Sequence, residues 1–232
     1  MNLLSDITSQ RRSEAELERY AQVAAHDLRE PVMALGLFVE QLASGLDRGP
    51  VERNEELIAQ LRRAIARAKA LVDGILEYAR CGTSMEFEQV DMGQVVAGVL
   101  STLSARAAET GTTFEVGDLP TIRGNGTQLG RVMQNLVANS IKYRSDEPPH
   151  VKVSAEREDG FWVFTVEDNG VGMPPALGDD AFAMFTRAGA DDDVSCGIGL
   201  AVCRRIIEAH GGVIVAEPAP ARGTAMRFSL PD

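Results

Sequence analysis

Between Leu17 and Leu42, and again between Leu57 and Tyr78, apolar residues recur in steps of four and three. The first run is Leu17, Ala21, Ala24 and Leu28, then past Pro31 Leu35, Phe38 and Leu42; the second is Leu57, Leu61, Ala64, Ala68, Leu71, Ile75 and Tyr78. That rhythm belongs to a helix with a continuous apolar seam. The stretch from Ser44 to Pro50, with Gly45 and Gly49, interrupts it, so the reading is a helical hairpin. One hairpin has too little apolar area to close a core of its own. Its seams are therefore expected to pair with a second copy in a four-helix bundle, which makes the protein a homodimer.

Past Gly82 the pattern changes to short alternating runs mixed with helices, which reads as a separate α/β domain. Strands are expected at Thr112 to Val116, His150 to Arg157, Phe161 to Glu167, Val213 to Glu217 and Thr224 to Leu230. Helices are expected at Met92 to Glu109, Gly126 to Tyr143 and Gly199 to Ala209. Glu158-Asp159-Gly160 and the stretch from Pro218 to Gly223 read as turns between neighbouring strands, giving a mixed, mainly antiparallel sheet with helices on one face. The fold class is thus α+β: a hairpin over residues 9–83 and an α/β sandwich over residues 84–232.

The chain's 232 residues accommodate one large or two small domains. Its 34 acidic and 23 basic residues leave a net charge of −11, which repels nucleic acid and anionic membranes, so neither is an expected partner. No run approaches the roughly 20 apolar residues of a bilayer span, and no membrane segment is expected. Cys81, Cys196 and Cys203 are odd in number and form no CxxC pair, which argues against a disulfide framework or a zinc cluster and for a reducing cytoplasm.

His26 lies two residues from both Ala24 and Leu28, about 200° round the helix from each, so it points away from the seam. A solvated surface histidine, a metal ligand and a nucleophile are the competing readings. No histidine stands at the i+4 position and only His150 and His210 occur elsewhere, which weakens the metal reading. A neutral imidazole is nucleophilic through one nitrogen while an adjacent carboxylate such as Asp27 holds the hydrogen of the other. Pro31 has no N–H for the Asp27 carbonyl, so the helix should bend one turn beyond the histidine.

No GxxxxGK[ST] loop is present. Instead, Asn135, Asn139 and Lys142 stand at i, i+4 and i+7 of one predicted helix, aligning two amide oxygens and an ammonium. Amide oxygens suit a magnesium ion that keeps most of its waters and bridges phosphates; a lysine neutralises the same phosphates. At the end of a predicted strand, Asp168-Asn169-Gly170-Val171-Gly172 places an acceptor for an exocyclic amine such as that of adenine before two glycines that admit a flat ligand. Further on, Gly197-Ile198-Gly199-Leu200 opens a helix whose bare N–H groups suit phosphate.

Taken in order, these motifs resemble the catalytic core of the sensor histidine kinases of two-component signalling, over nearly the whole chain. The segment from His26 to Pro31 resembles the phosphoacceptor box and Asn135 to Tyr143 the asparagine box. Asp168 to Gly172 and Gly197 to Gly199 resemble the glycine boxes, and Phe182 to Arg187 the phenylalanine box. The resemblance implies that His26 takes the γ-phosphoryl group of ATP with Asp27 as base, that Asn139 and Asn135 handle Mg2+, and that Lys142 contacts phosphate. It implies that Tyr143 flanks the base, that Asp168 reads adenine, and that Gly170, Gly172, Arg187, Gly197, Gly199 and Leu200 line the nucleotide site. It also implies a response-regulator receiver domain as the partner that accepts the phosphoryl group on an aspartate. Leu4 to Thr8 resembles the end of a PAS sensor domain, so residues 1–8 are read as the close of an upstream sensor. Glu30 stands four residues past the histidine, where many members carry threonine or asparagine.

Two other classes of function compete. A degenerate kinase acting as a dimeric scaffold or phosphotransfer adaptor has no need of the intact Asn139, Asp168, Gly170 and Gly172. An ATPase-driven clamp needs a carboxylate on the asparagine-bearing helix, and residues 129 to 143 contain no Asp or Glu.

Overall fold

The computed structural model describes residues 51–80, 86–174, 177–184, 186, 197–220 and 222–232, together with Met33, Gly36 and Val39, which are helical. His26, Asp27, Pro31, the Ser44 to Pro50 connection, Arg187 and the PAS-like start all lie outside the described residues. The chain divides into two compact units, the change falling between Leu76 and Glu77. Among the described residues no helix is long and apolar enough to cross a membrane.

Helix α1, Val51–Arg80, runs unbroken for 30 residues and carries the whole of the expected second seam. Leu71, on that seam, is buried, while Ile58, Ile65 and Val72 form a second apolar row at heptad spacing and are exposed. The apolar face is therefore broader than a two-helix seam, as helices of a larger bundle require. Tyr78 departs from expectation. It belongs to the second unit and is buried there, its ring centroid 4.5 Å from the Arg205 guanidinium.

The second unit begins with β1, Glu88–Asp91, and α2, Met92–Thr102, whose N-cap Asp91 accepts a hydrogen bond from the Gln94 N–H. The helix expected to run on to Glu109 breaks at Leu103 and resumes as α3, Ser104–Thr110. The hydroxyls of Thr102 and Ser104 donate to the Gly98 and Ser101 carbonyls, the local competition that makes such residues poor helix interiors. Next come β2, Thr113–Val116, and β3, Thr121–Gly124. Strands β1 and β3, which the sequence reading did not include, pair antiparallel in a small sheet of their own.

Helix α4, Gly126–Lys142, leads into β4, His150–Glu158, and β5, Phe161–Asp168, then a short 3-10 turn at Gly178–Phe182. Helix α5, Gly199–Ala209, and strands β6, Ile214–Pro218, and β7, Thr224–Pro231, complete the unit. The main sheet has the order β2-β4-β5-β7-β6, with β2 parallel to β4 and every other pair antiparallel, as the two turns required. Asp159 and Gly160, both at positive φ, close the tight β4–β5 hairpin.

The core lies between this sheet and the helices. Leu129, Val132, Met133, Leu136, Val137 and Ile141 bury one side of α4 against Val151, Val153, Phe164, Val166 and Phe228 of the sheet. Phe164 and Phe228 stack at 5.0 Å. Each such side chain contributes roughly 1.5–3 kcal/mol on burial, so the face that carries the asparagines is fixed by apolar residues on the opposite side of α4. Its N-terminus is fixed by a different means. The N-cap Asn125 accepts from the Gln128 N–H, and its own N–H donates to Nε2 of buried His210 at 3.0 Å, while His210 Nδ1 lies 2.8 Å from the Ile206 carbonyl oxygen. One neutral tautomer satisfies both contacts, and burial holds the imidazole pKa below its usual value.

Candidate nucleotide-binding site

Asp168 ends β5 at the point where α4 and the start of β7 converge. Its Oδ1 accepts from the backbone N–H groups of Gly170 at 3.0 Å and Thr224 at 3.1 Å, and its Oδ2 accepts from the Ser140 hydroxyl at 3.1 Å. The carboxyl is half-buried, and burial pushes its pKa up while the three donors pull it back. One side chain is thus locked by β5, β7 and α4 together, with acceptor capacity remaining on Oδ2.

Gly170 is a steric requirement. A Cβ there would overlap the Tyr143 carbonyl oxygen, which accepts from the Val171 N–H at 3.0 Å and so ties the loop to the end of α4. Gly223 is a second: at φ 103°, a Cβ on it would overlap the Asp168 carbonyl oxygen. Gly172, at φ 81°, faces Gly223 across the same junction. Asn169 anchors the loop from outside, its Oδ1 accepting from the His150 N–H at 2.7 Å and its Nδ2 donating to the Pro148 carbonyl at 3.0 Å.

On α4, Asn135 Nδ2 donates to the Arg131 carbonyl at 3.1 Å, which turns Oδ1 toward the start of α5; a Cβ on Gly199 would lie 2.7 Å from that oxygen. Helix α5 begins at Gly199 after Gly197, at φ 65°, and its N-cap Ile198 supplies no side-chain cap to the first N–H groups. Asn135 is therefore brought against the α5 N-terminus, next to Leu200, while Asn139 lies half-buried one turn further along α4. Lys142 and Tyr143 are turned to each other, Nζ lying 3.2 Å from the phenol oxygen and 4.6 Å from the ring centroid. Phe182 is buried, with the Arg204 guanidinium 5.7 Å from its ring.

These residues fit a magnesium nucleotide. Among the described residues no group of three His, Cys, Asp or Glu side chains gathers to hold a metal, so a cation here depends on amide oxygens and phosphates, and the Asn135 amide presents its oxygen beside an uncapped helix N-terminus. Sequence reasoning missed Ser140, Thr224, Gly223 and Asn169. Ser140 stands inside the asparagine-bearing segment and offered a signal as a polar residue on the apolar side of α4. The other three act through partners far away along the chain.

Comparison with known proteins places two families on the chain. Residues 16–83 match the "His Kinase A (phospho-acceptor) domain" and residues 124–232 the "Histidine kinase-, DNA gyrase B-, and HSP90-like ATPase". The phytochrome-like protein Cph1 of Synechocystis is 35% identical over 95% of this chain, which covers 30% of Cph1. The chain spans less than a third of the length of this and other phytochrome relatives. The mycobacterial sensor histidine kinase MprB matches with a TM-score of 0.57 and 30% identity over 63% of this chain and 97% of the solved one. The histidine kinase ThkA, solved in complex with the response regulator TrrA, matches at TM-score 0.76 and 22% identity over 100% of this chain and 67% of its own.

Proposed function

This chain belongs to the sensor histidine kinase family, and on that premise we propose that it is a dimeric, Mg2+-dependent ATP:protein-histidine phosphotransferase. The observation that carries the reading is the Asp168 carboxylate, held by three donors with its remaining acceptor position beside the asparagine-bearing helix.

In this reading Asp168 accepts from the 6-amino group of adenine, and Tyr143 borders the base. The first N–H groups of α5 donate to the phosphates, and Lys142 exchanges its phenol contact for phosphate. Asn135 and Asn139 hold Mg2+, which when bound neutralises phosphate charge. His26 attacks the γ-phosphorus through one ring nitrogen; the bond from phosphorus to the β,γ-bridging oxygen breaks, ADP leaves, and Asp27 takes the proton from the other nitrogen. The phosphoryl group then passes to an aspartate of a receiver domain, a partner supported by the neighbour solved with a response regulator. Because His26 and the nucleotide site belong to different units, motion of one onto the other gates the transfer, in the cytoplasm where ATP is available. The exposed row Ile58, Ile65 and Val72 supports the homodimer. Residues 1–8 would close an upstream PAS-type sensor domain, and Arg187 would add a cation near the phosphates.

Calorimetric titration with MgATP tests the site. Asn139→Ala is expected to weaken binding at least about tenfold, in line with loss of one interaction to a charged group. Equal affinity for wild type and Asn139→Ala would reject the placement of the nucleotide.

A further inference from the structure

Ser140 is almost fully buried on α4 and its hydroxyl has two acceptors in reach, the Leu136 carbonyl at 3.2 Å and Asp168 Oδ2 at 3.1 Å. A hydroxyl has one hydrogen and can serve only one acceptor fully at a time, yet its oxygen can also accept. Asp168 Oδ1 already accepts from two backbone N–H groups, so a proton arriving on this carboxyl is confined to Oδ2. That is the oxygen Ser140 faces. When Asp168 is ionised, Ser140 donates to it. When Asp168 is protonated, Ser140 can turn to Leu136 and accept the Oδ2 hydrogen.

We propose that Ser140 is a positioning residue for nucleobase selection: by turning between Asp168 and Leu136 it keeps a lone pair on the open side of Asp168 in both protonation states, so the site takes 6-aminopurine and refuses 6-oxopurine nucleotides. The inference rests on the nucleotide reading given above and deepens it. Without the hydroxyl, the proton of a neutral Asp168 is free to point outward, where it donates to a 6-oxo group as readily as the ionised form accepts from a 6-amino group. The groups facing Asp168 support this assignment. Its neighbours on the adjoining strands are Val151 on β4 and Thr224 on β7, neither titratable, and on α4 Lys142 and Tyr143 are turned to each other. Burial, which raises its pKa, shifts the balance toward the neutral form that the turning of Ser140 serves.

The test is equilibrium titration of the full chain with Mg2+ and either ATP or inosine triphosphate, from neutral pH down to about pH 5, between the ordinary carboxyl and imidazole values. Wild type is expected to prefer ATP by the same factor throughout. Ser140→Ala, which removes one of the three donors to Asp168, is expected to bind both nucleotides more weakly at every pH, to keep the preference for ATP at neutral pH, and to lose about tenfold of that preference in acid, the value of one misdirected hydrogen bond. Ser140→Thr, which keeps the hydroxyl, is expected to restore the flat profile. Asp168→Asn, which cannot titrate, is expected to show weak binding with no pH-dependent change in preference. A flat profile in Ser140→Ala overturns the role of Ser140 and leaves the nucleotide reading standing. Wild-type chain that binds neither nucleotide overturns both.

Discussion

Gly170 is held so close to the Tyr143 carbonyl that a methyl group has no room without parting the loop from α4. Gly170→Ala is expected to lower folding stability by about 2 kcal/mol and to weaken ATP binding further, both readable from thermal melts with and without nucleotide. Asp168 behaves differently, because the binding role proposed for it opposes its role in folding. Its pKa is raised in the folded chain, so its favourable contribution is complete below the ordinary carboxyl range and is lost as pH rises through the raised value. Asp168→Asn is therefore expected to be at least as stable as wild type at neutral pH while binding ATP at least about tenfold more weakly. A variant less stable and equally tight would contradict that division. At this scale the sequence was readable for Asp168, Gly170 and Gly172, which stand in one short motif. It was silent on Gly223 and Thr224, which meet Asp168 from 55 and 56 positions away, since nothing local marks a residue whose partner is chosen by the sheet.

The elements show where periodicity carries information and where it fails. Strands β4, β5 and β7 and the helices α4 and α5 follow from alternation and the 3.6-residue period, because each buries one face across several turns or pleats. Strands β1 and β3 are four residues each and went unread, and the Leu103 break is carried by Thr102 and Ser104, whose hydroxyls turn back on the carbonyls of Gly98 and Ser101. Tyr78 keeps the heptad step yet is buried in the second unit, where its ring meets the Arg205 guanidinium at 4.5 Å. The joint between α4 and α5 through His210 makes a pH prediction. Its folded pKa is depressed, so its contribution is complete above about 6.5, the ordinary imidazole value, and is lost as pH falls from there through the folded value. The melting temperature is expected to fall over that window, and His210→Gln, with no titrating ring, to fall less. An identical acid slope in the variant would remove His210 from the account.

At the scale of the molecule, a 30-residue helix with two apolar rows and an α/β unit that gathers Asp168, Ser140 and Asn135 share one chain, each built by its own physics. The exposed row on α1 predicts association: light scattering is expected to give twice the mass of the 232-residue chain at micromolar concentration, and Ile65→Glu with Val72→Glu to halve it. A wild type that stays monomeric would contradict the bundle. In the function proposed above, what joins the units is transfer of one phosphoryl group from the Asp168 site to His26. The most direct measurement is incubation with γ-labelled ATP and Mg2+, followed by acid and alkali treatment of the protein. The account predicts label that is lost in acid, persists in alkali and is absent from His26→Ala; acid-stable label, or label undiminished in His26→Ala, would contradict it.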